Sequence, residues 1–115
     1  MANAALALLR RVGGEALVVE MIELFLEDSP PRVERIRSAV AASDAGGVAA
    51  AAHSLRGSCG NLGLDRTRGV CERLELAAVQ RCLAELPDLF AELDTTLAEE
   101  SDELRAELDA ARAGV

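Results

Sequence analysis

The sequence predicts an all-α fold, an antiparallel four-helix bundle with a short extra N-terminal helix. Half of the 115 residues are apolar but only two are aromatic, so the core must be built from aliphatic side chains. The good helix formers Ala, Leu, Glu and Arg dominate the chain, and proline occurs only three times. A chain of this length fits one compact domain, which we assign to residues 1–115.

Glycines separate the first two predicted helices. Asn3 is placed to cap a short helix, and Gly13 with Gly14 should end it, because glycine readily adopts the conformations that follow a helix C-terminus. We expect this short segment to act as a lid. A second helix is expected over residues 15–27, where apolar side chains recur at helical spacing.

A proline pair suggests a break after the second helix. Asp28 and Ser29 precede Pro30 and Pro31, which is the order of an N-cap followed by proline in the first turn of a new helix. The sequence therefore predicts that one helix ends here and that another continues to about Val40.

Two further helices are predicted on either side of a glycine turn. The first runs from about Asp44 to Leu62 and ends at Gly63, a typical C-cap residue. Asp65 is placed to cap the second. This pair contains most of the residues that point to a function.

The last predicted helix is long enough to line the whole bundle. It starts at Arg81 or at Pro87 and reaches about Ala111. Its apolar residues lie three, four or seven apart, namely Leu86, Phe90, Leu93, Leu97, Leu104 and Leu108. Glutamates of the last two helices are expected on solvated faces, namely Glu72, Glu92, Glu99, Glu100, Glu103 and Glu107.

Charge and hydropathy exclude several classes of partner. The formal net charge is -8 and the chain has no lysine, which argues against a nucleic-acid partner and against anionic membranes. The apolar stretches fall far short of the roughly 20 residues that span a bilayer. No signal peptide is recognisable, so a cytoplasmic location is expected.

The cysteines and the single histidine do not suggest a metal site. Cys59, Cys71 and Cys82 are odd in number and lack CxxC spacing, so we expect reduced thiols that pack as small hydrophobic residues. With one histidine, and with Cys59 roughly 240° around the helix from it, no closed tetrahedral site is apparent. The sequence thus predicts neither a metal nor a cofactor.

His53 lies on the predicted helix 44–62, away from its apolar stripe. At about 100° per residue, the ring points about 140° from the centre of the stripe and should face solvent. Small residues flank it at helical spacing, namely Gly46, Ala50, Gly57 and Gly60. The only imidazole of the chain should therefore stand on a nearly bare helix face.

The neighbours of His53 suit a reactive ring. Gly57 costs about 1 kcal/mol of helix stability relative to alanine, and it leaves room for another protein to approach the ring. The guanidinium of Arg56 could pair with phosphate oxygens by bidentate hydrogen bonds. An exposed imidazole is mostly neutral near pH 7, so one ring nitrogen is available as a nucleophile.

No phosphate-cradling loop of the GxxxxGK[ST] type occurs, so an ATP-dependent kinase activity of the chain itself is not indicated. A transfer partner would have to supply the charge-stabilising metal. The turn at residues 60–65 also permits a helix-turn-helix reading, which the acidic surroundings disfavour.

The residues around His53 resemble a known family. The run AHSLRGSCGNLG at residues 52–63 is similar to the HxLKG motif of histidine phosphotransfer domains, including the downstream glycine. The likeness extends to residues 64–75 and to residues 25–30, and it covers about two thirds of the chain.

This resemblance implies a four-helix bundle in which His53 accepts a phosphoryl group at Nε2 and exchanges it with a receiver-domain aspartate. Arg56 and Gly57 take matching places in the motif, although the family commonly has lysine where Arg56 stands. Ser58 and Gly60 are further candidates for contact with the phosphate or the partner.

Glu75 takes a position at which some members of the family have glutamine bonded to the histidine. We therefore regard Glu75 as a candidate for orienting the ring, with the reservation that a carboxylate also repels phosphate.

The resemblance implies receiver domains of response regulators or of hybrid histidine kinases as partners, and a monomeric phosphoryl carrier rather than an ATP-using enzyme. The alternative is a helical interaction module that docks receivers without being phosphorylated. The sequence leaves open the identity of the partners and the direction of phosphate flow.

Overall fold

Four α-helices and one short 3-10 turn make up residues 3–114, the part of the chain that the computed structural model describes. They are α1 (Ala4–Ala41), α2 (Ala45–Leu62), α3 (Asp65–Val79), the 3-10 turn (Leu83–Glu85) and α4 (Leu86–Ala113). Residues 1, 2 and 115 lie outside the described range. No β-strand occurs within it, so the predicted all-α class is confirmed.

The helices form an elongated bundle whose Cα extents are 46 × 20 × 19 Å. Short connections at residues 42–44, 63–64 and 80–85 make consecutive helices antiparallel. Helix α2 packs against α1 and α3, and α4 packs against the same two helices, so α2 and α4 lie diagonally opposite each other. None of the helices in the described range combines the length and the hydropathy that a bilayer crossing requires.

The N-terminal part of α1 covers one end of the bundle. Gly14 has φ 71° and ψ -169° and kinks α1 at the predicted glycine break. The Asn3 side chain caps the first turn, and its Nδ2 donates to the Leu62 carbonyl oxygen at 2.7 Å. Gly63 closes α2 in the left-handed conformation with φ 71°, as its predicted C-cap role requires, and a Cβ there would collide with the Asn3 side chain.

The helix break predicted at Pro30 and Pro31 is wrong. No residue between Gly14 and the end of α1 departs from helical backbone angles, although each proline removes one backbone donor. The buried residues of α1 continue through the prolines at helical spacing, namely Val18, Ile22, Phe25, Ser29, Val33 and Ile36. Packing of this continuous stripe against the bundle outweighs the local preference for a break.

The N-cap of α3 also differs from the prediction. Asp65 is the first helical residue rather than the N-cap, and the residue at the cap, Leu64, makes no side-chain cap hydrogen bond. The carboxylate of Glu100, from α4, accepts instead from the Thr67 backbone N–H at 2.8 Å and from its Oγ1 at 2.6 Å. The expectation that Glu100 is solvated is therefore wrong, since Glu100 is only 5% exposed.

The core is aliphatic, as the composition predicts. The predicted seam of α4 is buried along its whole length, and α4 begins at Leu86 with Pro87 in its first turn. Cys59 and Cys71 are fully buried, and Cys82 is half-buried. A hydrogen bond with Cys71, together with burial, raises the pKa of the Cys59 thiol far above its usual range, so this residue stays protonated in the core.

Candidate functional site

His53 lies near the middle of α2 with its ring in solvent. Its side chain is 61% exposed, whereas the adjacent Ala52 and the core residue Leu55 are completely buried. The orientation follows from the start of α2, where Asp44 caps the helix through Gly47 N–H, and from the apolar stripe that faces the core. The structure thus places the ring on the outward face, as the helical periodicity predicts.

Two side chains contact the same ring nitrogen. Glu75 Oε2, from α3, lies 3.0 Å from His53 Nδ1, and a terminal nitrogen of Arg56 also lies 3.0 Å from Nδ1. These contacts exclude each other as hydrogen bonds, because Nδ1 must carry a proton to donate to Glu75 and must lack one to accept from Arg56.

We assign the Nδ1 proton to the bond with Glu75. A bond from N–H to a carboxylate is charge-assisted and therefore stronger than a bond to a neutral ring nitrogen. Arg56 has another partner in the same carboxylate, with 3.6 Å between its second terminal nitrogen and Glu75 Oε1. In this tautomer Nε2 carries a free lone pair, and no described residue hydrogen-bonds to it.

Arg56, Glu75 and His53 therefore form one cluster across α2 and α3. The Glu75 side chain is 25% exposed, which reduces the screening of its charge, and Arg56 is more open at 36%. The ring is held at Nδ1 while Nε2 remains accessible. This arrangement suits a nucleophilic nitrogen that reacts with an external group.

The predicted glycines differ in their surroundings. A Cβ at Gly57 would meet no atom within 4 Å, so nothing inside the molecule requires glycine there. A Cβ at Gly60 would lie 3.7 Å from Cδ of Arg68, which is ordinary contact. Arg68 therefore extends from α3 across α2 beside Gly60, a placement that the sequence pattern did not reveal.

Ser58 is not brought to the His53 cluster. Its hydroxyl accepts a hydrogen bond from Arg32 of α1, and it lines a groove between α1 and α2. By helical geometry it lies about 140° around α2 from His53. Contact between Ser58 and a phosphate on the ring is not favoured by this placement, and contact with a partner stays a prediction.

Comparisons with known proteins agree with this fold. A family model described as the Hpt domain matches residues 20–114. The crystal structure of histidine-containing phosphotransfer protein B (HptB) from Pseudomonas aeruginosa PAO1 superimposes with a TM-score of 0.88 and 26% sequence identity, over 96% of this chain and 95% of that chain. No match is found among curated protein sequences. The similarity thus extends over almost the full length of both chains.

Proposed function

The chain belongs to the Hpt, or histidine phosphotransfer, domain family, and on that premise we propose that His53 accepts a phosphoryl group at Nε2 and exchanges it with an aspartate of a receiver domain. The observation that carries the proposal is the exposed ring whose Nδ1 is bonded to Glu75 while Nε2 remains free. The whole of residues 1–115 would then act as one monomeric carrier domain in the cytoplasm.

The transfer step needs no proton donor or acceptor at Nε2. The Nε2 lone pair forms the new N–P bond, the P–O bond of the partner's aspartyl phosphate breaks, and its electron pair leaves with the aspartate carboxylate. Because Nδ1 keeps its proton, the phosphorylated ring is cationic, and the Glu75 carboxylate 3.0 Å away would stabilise that charge. The reverse step returns the phosphoryl group to the carboxylate.

Arg56 would bind the transferred group. Its guanidinium already lies beside the ring, 3.0 Å from Nδ1. It makes no hydrogen bond to Nδ1, because the assigned tautomer places a proton on that nitrogen. A phosphoryl group on Nε2 would offer it charged oxygens with bidentate geometry, which a guanidinium prefers. Glu75 would then position the ring and Arg56 the phosphate, so the two opposite charges of the cluster have separate roles.

The partner would supply the remaining chemistry. Phosphoryl transfer depends on positioning and on stabilising the charge of the phosphoryl oxygens, in which a divalent cation usually takes part. Receiver domains of response regulators or of hybrid histidine kinases carry the acceptor aspartate and would hold that cation. The proposed role is therefore that of a carrier without an ATP site of its own.

The proposal is tested by mixing the purified chain with a receiver domain that has been phosphorylated chemically. We expect phosphate to appear on the chain in an acid-labile, base-stable form, which is the behaviour of a phosphorus–nitrogen bond, and peptide mapping to place it on His53. A chain that binds the receiver but remains unphosphorylated would favour the alternative, an interaction module that docks receivers without transfer.

Two replacements of Gly57 test its effects on stability and on transfer separately. Replacing it with alanine should stabilise the fold by about 0.5–1 kcal/mol, because the new Cβ enters open space and glycine is the poorer helix former. Replacing it with leucine should slow transfer from a phosphorylated receiver by about 10- to 100-fold, because the bulk displaces the partner from the ring. Urea unfolding and transfer kinetics measure the two effects.

Gly69 is the matched control for Gly57. It also lies inside a helix and also has no atom within 4 Å of a Cβ position. By helical geometry it points about 120° away from Glu75 around α3. Gly69→Ala should give a similar gain in stability, and Gly69→Leu should leave transfer nearly unchanged. Equal losses of transfer in the two leucine variants would contradict the role of Gly57.

A further inference from the structure

A partly enclosed groove lies between α1 and α2, on the side of α2 away from His53. Ser58 lines this groove and lies about 140° around α2 from His53, so the groove is separate from the proposed phosphoacceptor site. The groove has a volume of about 100 Å³. A cavity of about 150 Å³ accommodates benzene, so the space suits a small organic molecule.

The groove contains a guanidinium that no carboxylate neutralises. Arg32 of α1 is half-buried and donates a hydrogen bond to the Ser58 hydroxyl. No carboxylate within residues 3–114 lies within 4.0 Å of its side-chain nitrogens, whereas the other half-buried arginines, Arg10 and Arg56, each pair with glutamate. A half-buried cation is poorly solvated, so an anionic group that bonds to it here would be stabilised.

A carboxylate lies one helical turn away from this guanidinium. Asp28 also lines the groove, and no arginine of the described range lies within 4.0 Å of its carboxylate. The bond between Arg32 and Ser58 sets the register of the two antiparallel helices. Asn61, one turn after Ser58, is therefore level with Asp28. The groove thus has a cationic level and an anionic level, about 6 Å apart along α1.

An apolar wall continues the groove beyond the level of Asp28. It is formed by Met21, Leu24, Phe25 and Leu62. Leu24 is 51% exposed, although its side chain is large and hydrophobic. Ser29 lies between the two charged levels, is only 6% exposed and bonds to no described residue through its hydroxyl. The groove therefore presents a cation, an anion and an apolar wall in that order, with a buried hydroxyl still available.

This order of groups matches a free α-amino acid with an aliphatic side chain. The guanidinium and the Ser58 hydroxyl would bind its carboxylate, and Asp28 with the Asn61 amide oxygen would bind its ammonium group. The side chain would lie on the apolar wall. A simple anion would be repelled by Asp28, and a simple amine by Arg32. A peptide segment does not offer both charges on adjacent atoms, because its amino and carboxyl groups are joined in amide bonds.

We propose that the groove between α1 and α2 binds a free aliphatic α-amino acid, with Arg32 at the carboxylate and Asp28 at the ammonium group. The binding is reversible and involves no covalent step. The inference goes beyond the proposed function and does not depend on it, because the side chains that hydrogen-bond to His53 are Glu75 and Arg56 and neither lines this groove.

Titration of the isotope-labelled chain, followed by NMR, tests the inference with L-leucine as the probe. Isocaproate lacks the ammonium group of leucine, isoamylamine lacks its carboxylate, and glycine lacks its side chain. L-Leucinamide has a neutral carboxamide in place of the carboxylate, as a peptide N-terminus does. Leucine should bind at least about 10-fold more tightly than each analogue, because each loses a charged hydrogen bond or the apolar contact. The shifted amides should lie around Asp28, Arg32 and Ser58.

Two charge variants locate the two ends of the ligand. In Arg32→Gln, leucine should bind at most about 2-fold more tightly than isoamylamine, because the carboxylate has lost its partner. In Asp28→Asn, leucine and isocaproate should become similar in the same way. Arg35→Gln is the matched control, since Arg35 is exposed on the same helix and lies outside the groove. Leucine binding should be unchanged in this control.

The absence of saturable shifts below about 10 mM leucine, or shifts centred outside the groove, would overturn the inference. Equal binding of leucinamide would also overturn it and would indicate a peptide terminus as the ligand. Unchanged discrimination between the ligands in both charge variants would count against the assigned ends. If circular dichroism shows that a variant does not fold, the ligand series on the natural chain still decides.

Discussion

His53→Gln is expected to abolish the incorporation of base-stable phosphate from a phosphorylated receiver. The glutamine amide can replace the hydrogen bond to Glu75, but its nitrogen lone pair is delocalised and cannot attack phosphorus. Because the His53 side chain is 61% exposed and lies outside the core, we expect the free energy of unfolding to change by less than about 0.5 kcal/mol. Transfer assays and chemical denaturation measure the two quantities on the same preparation.

Receiver binding provides the control for this variant. The exposed face of α2 is otherwise unaltered in His53→Gln, so affinity for the receiver should remain close to that of the natural chain. Residual phosphate of the same chemical stability in the variant would show that another residue is the acceptor. A variant that no longer folds cooperatively would contradict the placement of His53 on the surface.

The largest expected effect on stability comes from Glu100. Its carboxylate satisfies both the backbone N–H and the hydroxyl of Thr67, which is completely buried in the first turn of α3. Because the first amides of a helix have no partner within the helix, Glu100→Ala leaves buried donors unpaired and should cost about 2–4 kcal/mol. Urea unfolding followed by circular dichroism measures the loss.

Glu99 is the matched control for this prediction. It precedes Glu100 and pairs with Arg66 at 2.8 Å, but its side chain is 53% exposed, compared with 7% for that of Glu100. Exposed ion pairs contribute little, so Glu99→Ala should change the free energy of unfolding by less than about 1 kcal/mol. Similar losses in the two variants would refute the capping role of Glu100.

A second comparison isolates the bond between the two side chains. Thr67→Val removes the hydroxyl and keeps the shape, and it should be less damaging when Glu100 is already alanine. The difference between the effects of Thr67→Val on the free energy of unfolding, measured with Glu100 present and with alanine in its place, gives the coupling between Glu100 and Thr67. We expect this coupling to exceed about 0.5 kcal/mol. This capping interaction matters for the site because α3 also carries Glu75, which must be level with His53 on α2.

The exposure of His53 could be predicted from local information. The apolar spacing along one helix defines its buried face, and a residue about 140° away from that face points away from the core. The caps at Asn3 and Gly63 were predicted for the same reason, because each depends on a few neighbouring residues.

The proline pair shows where local information is insufficient. Pro30 and Pro31 favour a helix start when only their neighbours are considered. The buried stripe of α1 instead continues across them, and Ser29 occupies one of its inward positions. Because Ser29 is polar, the sequence pattern did not mark that position as part of the core. The packing energy of the whole stripe favours the continuous helix over a break at the prolines.

The sequence by itself determined the all-α class, the exposed histidine and the glycines beside it, since helix propensity and periodicity act over a few residues. Only the tertiary structure decided that Glu75 bonds to Nδ1, that Glu100 caps α3 from α4, and that α4 lies diagonally across from α2. Each of these joins residues far apart in the chain. Such pairs are brought together by the packing of helices against one another, which no short stretch of sequence encodes.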